Sequence, residues 1–245
     1  MTPVEAEVLG TFFLILLGGG VCANTTLNRA YGQGAGWLVV TLGWGLAVFV
    51  GVSVAGPYSG AHINPAVTVG LALAGKFSWS EVPFYIAAQM VGAMLGAVTV
   101  WLVYRDHYIA TPDPDAKRGT FCTGPAIANA PQNFLSELVG TFALVLVVLY
   151  FTEPTLQAQE LSEVRLGLGS LGALPVALLV VSIGMSLGGT TGYAINPARD
   201  LGPRIVYSVL PIPDKGGSQW SYAWVPVLGP VAGAAAAAVV FLAFS

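Results

Sequence analysis

Ser59-Gly60-Ala61-His62-Ile63-Asn64-Pro65-Ala66 and Thr191-Gly192-Tyr193-Ala194-Ile195-Asn196-Pro197-Ala198 are the two stretches that decide the reading of this 245-residue chain. The second follows the first at a displacement of 132 residues, and Glu7-x-x-Gly10-Thr11 returns as Glu137-x-x-Gly140-Thr141 at 130. Two motifs kept at nearly equal offsets point to an internal duplication. Asparagine is a preferred N-cap, and proline at the first helical position needs no amide donor and presets φ. Each tripeptide, Asn64-Pro65-Ala66 and Asn196-Pro197-Ala198, therefore starts a helix. A single copy would read as an ordinary turn. Two copies, each after Gly-x-x-Ile and each leading a short apolar piece, do not.

Those apolar pieces, about 66–74 and 198–208, are too short to cross ~30 Å of hydrocarbon at 1.5 Å per residue. They lie in a chain that is 55% hydrophobic and 9% charged, with a mean hydropathy of +0.74, well outside the soluble range. Longer apolar runs near 5–24, 36–55, 82–104, 133–152, 171–188 and 222–243 read as six spans. The first lacks a basic leader and is too long for a removable signal, so it reads as a retained span. Residues 105–132, rich in charge and proline, connect a first repeat (1–104) to a second (133–245). Three spans is an odd number, so the second repeat enters the membrane in the opposite sense and the two short helices approach the midplane from opposite faces. The expected fold is an all-α membrane protein of six transmembrane helices and two re-entrant half-helices in inverted repeats. Two helix N-termini meeting mid-bilayer, each with about half a positive charge, raise a barrier to cations and protons but not to neutral solutes. The amides of Asn64 and Asn196 could also donate to a passing oxygen.

Other classes fall away. No basic block offers a nucleic-acid footprint. Cys22 and Cys122 have no metal-ligand spacing and read as structural or incidental. His62 alone makes no metal or catalytic site, and no catalytic triad or HExxH spacing occurs in the spans, so no metal, cofactor or enzymatic activity is expected. A coupled secondary transporter also uses inverted repeats, but its midplane normally carries ion-coordinating groups.

On these motifs the chain resembles the aquaporin and glycerol-facilitator family over essentially its whole length. The resemblance implies a homotetramer with one pore per subunit, multi-pass in the plasma membrane, with both termini cytoplasmic. A count of basic loop residues would choose the opposite orientation, since Arg29, Arg105, Lys117, Arg118 and Lys215 then fall outside and only Lys76 and Arg165 inside. It further implies that Glu7 and Glu137 hold the re-entrant loops, that His62 braces its loop, and that Trp44, Gly184, Tyr193 and Arg199 form the selectivity filter. Gly184 would leave room there, and Trp44 and Tyr193 would offer apolar faces opposite the Arg199 guanidinium, a slot fitting glycerol and similar polyols as well as water. Asp200 with Arg204, and Pro226-Val227, match the glycerol branch rather than the water-selective one, the alternative reading. Tyr193 departs from the phenylalanine common in that branch. Gly92-x-x-x-Gly96 and Gly229-x-x-x-Gly233 permit close helix contact, and Trp37, Trp79, Trp101, Trp220 and Trp224 lie near span ends, as interfacial anchors would.

Overall fold

The computed structural model describes residues 1–152, 155–158, 161–165 and 167–245, and the side chains of 1–152 and 167–245. The side chain of Arg165, counted above among the inner-loop charges, lies outside that set. In chain order come α1 (Pro3–Thr26), α2 (Trp37–Ser59), α3 (Pro65–Leu73), α4 (Val82–Val103), α5 (Arg105–Ala110), α6 (Pro114–Gly119) and α7 (Ala130–Leu149). A hairpin of β1 (Thr155–Ala158) and β2 (Leu161–Arg165) and a 3-10 turn (Gly169–Ala173) lead into α8 (Leu174–Leu187), α9 (Pro197–Val209) and α10 (Val225–Phe244). Among the described residues six helices are long and apolar enough to cross a membrane: α1, α2, α4, α7, α8 with its 3-10 turn, and α10. Their ends fall within a few residues of the expected spans. The largest single difference is at the end of α2, which runs to Ser59 rather than 55, and α7 is shifted by three residues at both ends. At the fifth span Pro175 has no N–H to give, and ahead of it the chain tightens, with Leu174 N on Leu171 O.

Each half is built alike: α1 packs on α2 and α4, as α7 packs on α8 and α10. The half-helices cross over, α3 lying against α10 and α9 against α4. Contact this close needs glycine. A β-carbon on Gly92 would lie 3.0 Å from Phe12 N, and one on Gly233 2.9 Å from Phe142 N. The neighbours are backbone and cannot yield, so both GxxxG pairs serve packing inside the chain. Leu38, Leu46, Phe84, Leu95, Leu178 and Leu228 stand exposed on the outer surface, where hydrocarbon replaces water.

The connection 105–132 is more than a charged linker. It folds into α5 and α6 and packs down, with Tyr108, Lys117, Phe121 and Cys122 buried and Lys117 Nζ donating to Pro213 O at 2.6 Å. Gly92→Val or Gly233→Val should lower the thermal midpoint in detergent, an overpacking loss of about 1–3 kcal/mol. Gly20→Ala, where a β-carbon would meet nothing within 4 Å, should raise it slightly.

Candidate functional site

Asn64 and Asn196 begin α3 and α9 as side-chain caps: Asn64 Oδ1 accepts from Ala66 N at 2.8 Å, and Asn196 Oδ1 from Ala198 N at 3.0 Å and Arg199 N at 3.2 Å. Pro65 and Pro197 occupy the first helical positions. The same two side chains tie the halves together. Asn64 Nδ2 donates to Ile195 O at 2.8 Å and Asn196 Nδ2 to Ile63 O at 2.9 Å. Each amide nitrogen has two hydrogens, so one remains on each for another acceptor.

Ahead of each cap the chain runs through left-handed backbone. Gly60, Ala61 and Ile63 have φ of 78°, 51° and 42°, and Gly192, Tyr193 and Ile195 have 80°, 37° and 43°. Such residues cost about 1–3 kcal/mol each when they are not glycine, so something must hold them. Glu7 accepts from Ile63 N at 2.7 Å, His62 N at 2.9 Å, Ser59 Oγ at 2.6 Å and Gln89 Nε2 at 2.7 Å. Glu137 accepts from Thr191 Oγ1 at 2.7 Å, Ile195 N at 2.8 Å and Ala194 N at 2.9 Å. Both carboxylates are fully buried. His62 adds a bond from its ring to Thr68 Oγ1 at 3.1 Å and packs on Phe77 and Tyr85.

A cavity of about 250 Å³ runs between the loops, from Trp44, Tyr193 and Arg199 past both asparagines to Phe151 and Gly172. It adjoins a wider opening through Val52, Gly60, Phe151 and Gly172, which line both. Its lining combines the loop residues 60–64 and 193–196 with apolar side chains, among them Leu14, Val48, Leu144 and Val180.

The residues expected at the filter sit as follows. Gly184 does not line the cavity: a β-carbon there would lie 2.8 Å from Tyr193 Cζ, so the Tyr193 ring fills the room the missing side chain leaves. Trp37 completes that seat, its Nε1 donating to Gly184 O at 2.9 Å and its ring standing edge-on to Tyr193. Nor does Trp44 face the arginine across an open slot. Arg199 Cζ lies 3.9 Å from the Trp44 ring centroid, a stacked cation–π contact. The guanidinium has one hydrogen bond to the protein among the described residues, Nη1 to Phe121 O at 3.4 Å, which leaves most of its fork unused.

Asp200 and Arg204 do not line this cavity. Their buried pair (Nε to Oδ1, 2.8 Å) is fully satisfied: Asp200 Oδ2 also accepts from Thr123 N and Oγ1 at 2.7 Å, and Arg204 donates to Ser218 O at 2.6 Å and Thr123 O at 2.8 Å. The pair thus clamps loops 120–124 and 218–219 onto α9, and with them the Phe121 carbonyl that Arg199 meets. Pro226 and Val227 sit in the first turn of α10, buried and half-buried, away from the cavity lining. Gln89, Trp37, Phe121 and Thr123 take roles here that sequence reading does not assign. A glutamine inside an apolar span is a signal for the first; a backbone carbonyl such as that of Phe121 carries none.

Asp200→Asn should cost about 3–5 kcal/mol, because it leaves the Arg204 charge buried without a counterion. Pairing it with Arg204→Met should recover part of that loss, read as the midpoint of thermal unfolding in detergent.

The major intrinsic protein family model matches residues 2–241. The glycerol uptake facilitator protein of Bacillus subtilis is 52% identical over 233 residues, 95% of this chain and 81% of that one. The glycerol uptake facilitator protein of Streptococcus pneumoniae is 51% identical over 244 residues, covering the whole of both. Among solved structures, the aquaglyceroporin from Plasmodium falciparum superposes with a TM-score of 0.80 at 31% identity, over 97% of this chain and 93% of that one. With six membrane-spanning helices, two half-helices capped by asparagine and a match over nearly its full length, this chain belongs to the major intrinsic protein family.

Proposed function

We propose that the chain is a passive channel for glycerol and other small uncharged solutes, with some water permeability, that excludes ions and protons. The observation that carries this is the meeting of two helix N-termini inside an amphipathic cavity. The α3 and α9 dipoles point positive ends at its middle, which disfavours cations in a low-dielectric setting. A neutral solute meets both hydrogen-bonding loop residues, Asn64 and Asn196 among them, and aliphatic side chains. At the narrow end, the unused donors of Arg199 can bind adjacent hydroxyls while Trp44 and Tyr193 pack against carbon. In this reading Asn-Pro-Ala at 64–66 and 196–198 forms the pore centre and Trp44, Tyr193 and Arg199 the filter, with Gly184 acting through Tyr193. Glu7, Glu137 and His62 support the loops. Relatives named as glycerol uptake facilitators support glycerol as the solute. No bond is made or broken, so no catalytic residue is assigned.

One observation favours a second reading, water selectivity. Tyr193 occupies the space expected at Gly184, and Arg199 lies on Trp44, so the narrow end is tighter than residue types alone suggest. Stopped-flow light scattering on proteoliposomes separates the two. A sucrose challenge reads water, and a glycerol challenge should give rapid reswelling. Gly184→His, which must push the Tyr193 ring into the passage, should slow glycerol by about tenfold or more. Unchanged glycerol flux in that variant would place the constriction elsewhere.

The repeats at 1–104 and 133–245, assembly as a homotetramer in the plasma membrane, and cytoplasmic termini belong to the same proposal, resting on the family resemblance. Orientation can be read with an impermeant maleimide on intact cells. Asp113→Cys in the connecting segment should label from outside. The native Cys122 should stay silent, since it is buried and desolvation pushes its thiol up to about 12. Labelling only after the cells are opened would invert the topology.

A further inference from the structure

Trp44 is seated on α1 by two residues one helical turn apart. Gly18 leaves the volume that the six-membered ring of the indole occupies: a β-carbon there would overlap Cζ3 and Cε3 and lie 2.6 Å from Cη2. Cys22 brings its Sγ to 3.3 Å from Trp44 Nε1, the hydrogen bond this indole N–H makes. Residues at i and i+4 share a helix face, so both bear on the same ring. The neighbouring glycines make the contrast. Gly19 would meet Val100 at an ordinary 3.4 Å and Gly20 nothing within 4 Å, so within Gly18-Gly19-Gly20 only the first is required by the tryptophan. Neither Gly18 nor Cys22 lines the cavity, whereas Trp44 does, and its ring also meets the Arg199 guanidinium.

We propose that Gly18 and Cys22 are positioning residues that set how far the Trp44 ring stands into the passage, and so the largest solute admitted. The inference rests on the reading of Trp44 and Arg199 as the filter. A methyl group at position 18 meets a rigid aromatic ring rather than the end of a flexible chain, so it cannot be absorbed by a small rotation. The ring must shift off α1, and it is this ring that lines the cavity and meets the guanidinium. The gap therefore narrows for a polyol more than for water. The sulfur fixes the rotation of the same ring, and without an acceptor the indole N–H loses its partner and its preferred setting.

Water and glycerol permeabilities measured separately on proteoliposomes of equal protein density test this, for the parent protein, Gly18→Ala, Gly20→Ala, Cys22→Val, Cys22→Ser and Trp44→Ala. Gly18→Ala should lower the glycerol-to-water ratio by about tenfold, the scale on which one methyl group discriminates in a tight site. Gly20→Ala should leave it unchanged. Cys22→Val should shift the ratio, and Cys22→Ser, which keeps an acceptor, should stay near the parent. Cys22→Val, which removes the acceptor while staying apolar, carries the test where Gly18→Ala gives no folded protein. An unchanged ratio, or a parallel fall of both permeabilities, would overturn the inference; equal behaviour of the valine and serine variants would overturn the part given to sulfur. Trp44→Ala separates this from the reading beneath it. If it too leaves the ratio unchanged, the filter itself is misplaced; if it alone changes the ratio, only the positioning role fails.

Discussion

A peptide group halfway across a bilayer has no water to bond with, and leaving one unpaired costs several kcal/mol. Everything near the middle of this chain answers to that constraint. The loops before α3 and α9 are neither helix nor sheet, so their amides need partners from elsewhere, and Glu7 and Glu137 supply them from α1 and α7. A carboxylate suits the task because its two oxygens accept several donors at once. Burying that charge is expensive alone, and three or four short bonds on each acid offset the expense. The left-handed Ile63 and Ile195 are held by the same bonds, which is why isoleucine can sit where glycine would be easier.

Two parts of the structure were legible in the sequence for different reasons. Spans announce themselves through long apolar runs, since hydrocarbon leaves a segment little choice. The pore-lining loops announce themselves by repetition: a cap and a proline in matching places of two halves are hard to reconcile with a chance turn. Illegible features depend on distant partners. Cys22 read only as structural or incidental, with no role assigned, because its partner Trp44 lies on the next helix. Gln89 reaches Glu7 from 82 residues away. At Gly184 the absence of a side chain suggested a space, whereas packing moved a neighbouring ring into it, as dense interiors do. In the segment 105–132, charge and proline marked the connection between the halves but not its packing: Lys117 is buried against Pro213, and Tyr108 and Phe121 join the apolar core.

The two ends of the cavity are finished differently. Near the end at Trp44 and Arg199, the Asp200–Arg204 pair draws stretches of loop from both sides of α9 into one network, with four backbone carbonyls and amides taken up. Lys215 adds to it by donating to Tyr207 O, Ser208 O and Leu210 O at the end of α9, a cation where the helix dipole is negative. The other end opens beside Gly169, Gly172 and the 3-10 turn, with no such clamp among the described residues. Rigidity is thus concentrated where solutes would be discriminated.

The crossed bonds of Asn64 and Asn196 carry a consequence for biosynthesis. Each asparagine completes itself on a carbonyl from the opposite half. While the ribosome is still making the second half, the first has its spans but not the acceptor that Ile195 will bring. Glu7 can already hold the loop amides, but the Asn64 amide and the Ile63 carbonyl wait for their partners, so the central aperture is complete only when the last third of the chain arrives.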